Sequence, residues 1–244
     1  MGQIVTAATM GIAIGSDSHQ EWLLPWWWEH YSRYNNYPVA IFDFGMSSKA
    51  LAWCKEKGTV LSLSESIPLQ PLTPHIAKHY KDRTELDHFR AAWFKKPLAL
   101  SHSPFPLCCW IDLDCEVKTS LEPLFNTLYF GADIALVKEP DPVQEKNREF
   151  ELSLLGEIAY NAGVIAFKQN SPILHQWIQL STTNNGEFLS DQDALSRAIH
   201  LNHPPLFELP PTFNWKITQG PSNAALILHY AGSAKSKIKH FLID

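Results

Sequence analysis

The densest chemistry in the sequence lies at Asp112-Leu113-Asp114, which follows the apolar run Leu107-Cys108-Cys109-Trp110-Ile111 without a break. Side chains two apart share one side of a strand, so the two carboxylates are expected to point the same way while strand geometry persists. Close carboxylates repel, which calls for a divalent cation or a shared proton. Hard oxygen ligands suit Mn2+ or Mg2+, ions that also hold phosphate oxygens. A solvated Asp-rich turn is the alternative for so short a motif. A second group comes late in the chain. The apolar strand Ala225–Leu228 runs into His229, and Gly232 and Lys235 complete a His-x-x-Gly-x-x-Lys pattern. A neutral imidazole is a third metal ligand, the glycine lets backbone approach a ligand closely, and the ammonium places a point charge on phosphate. As a strand-end residue, His229 is expected to be exposed.

The elements that must position these groups alternate between strand and helix, which predicts a layered α/β sheet. Ile4–Thr9 reads as the first strand, Pro38–Phe42 as the second and Thr59–Leu63 as the third. Helices are expected from Ser18 through Tyr34, from Ser47 to Gly58, around Phe89, Ala92 and Trp93, and after Pro97. Leu107–Ile111 is a buried central strand, because its apolar run is continuous. Asp133–Val137 and Ala159–Phe167 are further strands. Ser171 and Ser190 read as helix caps, whereas Glu139-Pro140-Asp141-Pro142 reads as a surface loop. Trp26-Trp27-Trp28 falls on a helix, where adjacent side chains point in different directions, so at least one belongs to the core. Trp215 is the better candidate for the acceptor side.

A 244-residue chain that is 45% hydrophobic and 18% charged can build a sizeable core. The formal charge of −5 gives no general attraction to nucleic acid, so an anionic ligand needs a local site. Cys54, Cys108, Cys109 and Cys115 show no disulfide or zinc spacing and read as reduced thiols, which points to a cytoplasmic protein. No apolar run reaches membrane-spanning length. Met1 to Thr6 matches the myristoylation pattern, but the same residues read better as the lead into the first strand.

In order and spacing the sequence resembles glycosyltransferase family 8, the group of glycogenin and the bacterial lipopolysaccharide galactosyltransferases. Asp112-Leu113-Asp114 resembles the family's Asp-x-Asp, and Lys96, sixteen residues earlier, its basic donor contact. Tyr160-Asn161-Ala162-Gly163-Val164 is similar to its Phe-Asn-(Ser/Ala)-Gly-Val strand, and Asp191-Gln192-Asp193 to its Asp-Gln stretch. Leu209-Pro210 with Asn214, and His229 with Gly232 and Lys235, resemble its last two segments. The sequence departs from the family after Lys235, where Ser236 and Lys237 replace Pro-Trp, and at Ala7-Ala8-Thr9-Met10, where the family has a Thr/Asn/Asp-rich strand end.

The resemblance implies a GT-A fold, a Rossmann-like mixed sheet flanked by helices, in one domain with a nucleotide-binding half over about 1–115 and a metal-completing half over about 116–244. It implies a retaining, metal-dependent transferase that moves a sugar from a UDP-sugar or other nucleotide sugar to a glycan, lipid-linked or protein acceptor. Asp112, Asp114 and His229 would hold Mn2+ or Mg2+. Ala8, Thr9, Lys96, Asp112, Leu113, Asn161, Ala162, Gly232 and Lys235 would meet the donor, with Asp191 on a sugar hydroxyl and Gln192 near the anomeric carbon. Two other functions use an Asp pair or its fold. A metal-dependent phosphohydrolase or nucleotidyltransferase would use the same Asp pair, and His229 and Lys235 argue against it. In the haloacid-dehalogenase-like phosphatases the first Asp is the nucleophile, but Glu116 stands where that family prefers Thr or Val, and its motif usually follows the first strand. A catalytically silent sugar-nucleotide binding module would bind donor without turnover.

Overall fold

The computed structural model describes residues 9–63, 66–82 and 85–241. In chain order the elements are β1 (Met10–Ser16), α1 (Leu24–Ser32), β2 (Val39–Asp43), α2 (Ser48–Lys57), β3 (Thr59–Ser62), α3 (Pro74–Ala77), α4 (Leu86–Trp93), α5 (Lys95–Ser101), β4 (Leu107–Ile111) and β5 (Cys115–Val117). They continue with α6 (Glu122–Tyr129), β6 (Ile134–Lys138), α7 (Asp141–Glu149), β7 (Tyr160–Lys168), α8 (Pro172–Thr183), α9 (Asp191–Asn202), β8 (Leu206–Leu209), β9 (Trp215–Lys216), β10 (Ile227–His229) and α10 (Ser236–Phe241).

Seven strands form one mixed sheet in the order β3-β2-β1-β4-β7-β6-β8. β1 to β4 are mutually parallel, and β7 runs antiparallel to both β4 and β6. The chain builds outward from β1 through β2 to β3, then returns to place β4 on the other side of β1. That reversal creates a crevice beyond the carboxyl ends of β1 and β4, the usual ligand position in such sheets. Both faces of the sheet are covered. The period-2 alternation of β4 sends Cys109 and Ile111 into one hydrophobic core and Cys108 and Trp110 into the other. All four cysteines are buried free thiols. Among the described residues no helix is long and apolar enough to cross a membrane.

The expected strand Ile4–Thr9 falls almost wholly outside the described residues, and Thr9, its one described residue, is not in a strand. The observed β1 begins at Met10. Gly11 and Gly15 make Met10–Ser16 look weak as a strand, yet close packing requires them. A Cβ at Gly15 would lie 2.4 Å from the Phe44 ring and 2.9 Å from Trp110, and one at Gly11 2.3 Å from Phe105. α5 also starts at Lys95, two residues before Pro97. The expected surface loop at 139–142 is only partly one: Glu139, just past β6, is buried at 1% exposure, while Asp141 and Pro142 are exposed but open α7.

A second, three-stranded sheet of order β5-β10-β9 stands beyond β4. β10 pairs antiparallel with β5 and parallel with β9, so His229 faces Cys115 on one side and Lys216 on the other. This register brings the late His-x-x-Gly-x-x-Lys segment against the Asp112–Asp114 turn.

Candidate functional site

β4 ends at Ile111, and the backbone turns at once: the Cys115 N–H donates to the Asp112 carbonyl at 3.0 Å. Strand geometry therefore does not persist through Asp114, and the two carboxylates take different partners. Asp112 Oδ1 accepts from Trp110 Nε1 at 2.6 Å and pairs with Lys96 Nζ at 2.9 Å. Asp114 is buried and held by His229 Nε2 at 3.4 Å and Lys235 Nζ at 3.2 Å. Burial alone would raise the Asp114 pKa; the His229 and Lys235 charges outweigh it and hold the carboxyl well below the usual carboxylate range.

Lys96, projected from the first turn of α5, lies buried between the two halves of the site. It donates to the Ala162 carbonyl at 3.0 Å, pairs with Asp112, and approaches Asp191 Oδ2 at 3.5 Å. Burial would lower its pKa, but Asp112 and Asp191 reverse the sign and keep it protonated. Asp191 opens α9, where Ser190 and Asp193 form a reciprocal capping box. Its Oδ2 is buried with only the Lys96 ammonium near it, at a long 3.5 Å, and burial raises its pKa to about 6, with Asp112 adding to the rise and Lys96 opposing it. An under-satisfied buried carboxylate oxygen beside a cleft is a ready acceptor for a ligand hydroxyl.

His229 proves buried, at 4% exposure, rather than exposed as a strand-end residue. Its ring fits because Gly163 lacks a side chain: a Cβ there would lie 2.5 Å from His229 Cε1. A polar relay fixes its tautomer. Glu139 Oε1 accepts from Asn161 Nδ2 at 2.8 Å, Asn161 Oδ1 from Asn214 Nδ2 at 2.6 Å, and Asn214 Oδ1 faces His229 Nδ1 at 2.8 Å. Nδ1 must then carry a proton, which leaves Nε2 as the ring atom turned toward Asp114 and the one that would meet a bound cation. Gln192 joins the relay, accepting from Asn161 Nδ2 at 3.1 Å and donating to Glu139 Oε1 at 3.0 Å. Lys216 Nζ meets both Glu139 oxygens at 2.6 and 2.5 Å. The relay was hidden in the sequence because Glu139 sits beside two prolines and Lys216 carries no motif.

A cleft opens over these groups, lined by Ser16, Asp17, Lys96, Asp112, Leu113, Asp114 and Lys235. Its enclosed space is only about 60 Å³, less than a nucleotide-sized ligand fills, so a donor would have to lie partly outside it or widen it. The turn Gly232–Lys235 delivers Lys235 to it, and Gly232 supplies the left-handed φ of 63° at which that turn begins. Thr9 lies at the amino end of β1, away from the cleft, where its carbonyl accepts the N–H of Leu107 at the start of β4. Ala8 lies outside the described residues. Ser16 and Asp17, at the carboxyl end of β1, line the cleft. Trp26 and Trp27 are core residues, and the Trp215 indole donates to the Gly220 carbonyl at 2.9 Å.

The donor set fits a hard divalent cation. One carboxylate and one imidazole converge, since one ligand atom each from Asp114, Cys115 and His229 lies within 4.8 Å of the others. Burial pushes the Cys115 thiol well above its ordinary pKa, which disfavours the thiolate that ligation needs. Asp112 is turned toward Lys96 and must rotate to join them.

No family model matches the sequence, and no curated protein matches it. Solved structures do match the fold. The galactosyltransferase LgtC, solved in complex with donor and acceptor sugar analogues, aligns with a TM-score of 0.61 and 15% identity over 92% of this chain and 88% of its own. The bifunctional glycosyltransferase WbbM aligns at 0.60 and 14% over 96% of this chain and 47% of its own. Mouse xyloside xylosyltransferase 1 aligns at 0.58 and 14% over 93% and 97%. The chain therefore has the mixed α/β fold of the GT-A glycosyltransferases.

Proposed function

We propose that the protein is a metal-dependent glycosyltransferase that moves a sugar from a nucleotide-diphosphate sugar, UDP-linked by the family resemblance, to a glycan, lipid-linked or protein acceptor. The observation that carries this reading is the convergence of Lys96, Lys235, Asp112, Asp114 and His229 at the crevice between β1 and β4. A diphosphate needs local positive charge on a protein of net charge −5, and because Lys96 and Lys235 are paired with Asp112 and Asp114, a bound cation would have to supply the excess.

Asp112, Asp114 and His229 would hold Mn2+ or Mg2+. The cation, when bound, supplies charge against the departing diphosphate. Lys235, a third exposed at its side chain, is the mobile cation that shifts from Asp114 toward phosphate. Asp191 Oδ2 accepts a donor-sugar hydroxyl, and Lys96 orients both Asp191 and Asp112. Leu113, Ala162 and Gly232 supply backbone and apolar contact. Gln192 is an amide already bonded at both ends, a poor nucleophile. That supports front-face transfer with retention over a covalent intermediate.

A thermal-shift panel of nucleotide sugars with and without Mn2+ tests donor class. Stabilisation is expected with UDP-sugars and only with the metal; at a hundredfold excess over Kd, binding stabilises by about 2.7 kcal/mol. Equal shifts in EDTA would count against the reading.

Two variants are expected to fail in different ways. Lys235→Ala removes a charge-assisted contact made in both ground and transition states, about 1.5–3 kcal/mol, so UDP affinity and turnover fall together. Gln192→Ala is expected to leave UDP affinity nearly intact and lower kcat. UDP titration with a donor-hydrolysis assay separates them, and the reverse pattern would place the donor the other way round.

A further inference from the structure

Apart from the Asp114 cluster, two imidazoles and a carboxylate meet at the rim of the cleft. Asp17 follows β1, His19 stands in the same loop, and His88 occupies the first turn of α4. Asp17 Oδ1 is used locally, accepting the N–H groups of His19 and Gln20 at 2.9 and 3.0 Å. That fixes the carboxylate and directs Oδ2 toward His88 Nε2, 3.8 Å away. The His19 and His88 rings lie with centroids 4.2 Å apart, and one ligand atom from each of the three residues falls within 4.8 Å of the others. Both histidines are exposed.

This donor set differs in kind from the proposed Mn2+ site. Two imidazoles with one carboxylate is a ligand set for zinc with a fourth position left to water, whereas magnesium and manganese favour oxygen. Tetrahedral ligation at about 2.0–2.1 Å places ligand atoms about 3.3 Å apart. Small side-chain rotations of the two exposed histidines close the difference. The spacing also spans two distant chain segments, so an ion here would tie α4 to the β1 loop.

We propose that Asp17, His19 and His88 form a second metal site, selective for zinc-class ions and independent of Asp114. Asp17 lines the cleft, and so do Ala92 and Trp93 of the helix that carries His88. Zinc bound there braces one wall of the cleft, and its affinity is linked reciprocally to that of any ligand the wall contacts.

The test uses the full chain without a purification tag, with Zn2+ in equilibrium dialysis and Co2+ as a spectroscopic probe. Asp114→Asn is expected to keep this zinc and to show visible Co2+ absorption without a thiolate charge-transfer band, since no cysteine belongs to the site. His19→Ala/His88→Ala is expected to bind it roughly tenfold or more weakly, with an unchanged Tm in zinc-free buffer because both side chains are exposed. Unchanged zinc stoichiometry and affinity in the double-histidine variant would overturn the proposal, as would zinc binding that disappears with Asp114→Asn alone.

Discussion

Asp114→Asn is expected to remove metal-supported donor binding while the fold survives. The amide keeps the shape of the carboxylate but loses the charge that His229 and Lys235 both face. Substituting groups that only orient metal ligands typically costs ten- to a hundredfold in metal affinity, so losing a proposed ligand should cost about a hundredfold or more. UDP titration against Mn2+ concentration measures it. The substitution also changes the acid response. Asp114 has a depressed pKa, so its contribution to stability is present above the unfolded value of about 3.9 and lost as pH falls below it. The variant should therefore lose less stability than the parent on acidification, read by urea unfolding at several pH values in EDTA. An Mn2+ dependence identical to that of the parent would remove Asp114 from the metal site.

Glu139→Ala is expected to be the most destabilising single change at the site. Its side chain is fully buried and receives Lys216, Asn161 and Gln192 together. Removing one partner of a buried pair leaves the other uncompensated, at a cost of about 3–5 kcal/mol. Lys216 keeps some exposure at 16% and can partly rehydrate, which favours the lower end. About 3 kcal/mol corresponds to a Tm drop of roughly 6–12 °C in a chain of this size. Glu139→Gln keeps an acceptor and should lose less. The Glu139→Ala/Lys216→Met double variant should regain part of the loss, because the stranded ammonium is gone. The effect should also reach the proposed metal site, since Asn161 and Asn214 pass the Glu139 anchor on to His229. A Tm within 2 °C of the parent, an arbitrary threshold of about 1 kcal/mol, would show that the relay carries little stability.

The parts of this molecule legible in its sequence are those with a local cause. The apolar run Leu107–Ile111 ends where expected because both sheet faces bury it, and Ser47 caps α2 by accepting the Ala50 N–H at 3.2 Å. The capping role of Ser190 follows from Asp193 three residues on. What stayed hidden depends on contacts distant in sequence. β1 was disguised by glycines whose reason is the rings of Phe44, Trp110 and Phe105. The prolines beside Glu139 mimic a surface loop, yet Asn161 and Lys216 hold the Glu139 side chain from remote positions. The burial of His229 follows from its register between Cys115 and Lys216 and from the space left by Gly163, neither of which a strand-end position reveals. The turn after Ile111 likewise separates two carboxylates that strand periodicity alone would align.

The most direct test of the central claim is release of nucleoside diphosphate from a panel of nucleotide sugars, with water as acceptor so that the natural acceptor need not be known. The proposed site predicts Mn2+-dependent release of UDP from at least one UDP-sugar, with the anomeric configuration of the freed sugar retained, abolished by EDTA and by Asp114→Asn. Release that persists undiminished in EDTA, or phosphate liberated from simple phosphomonoesters in its place, would contradict it.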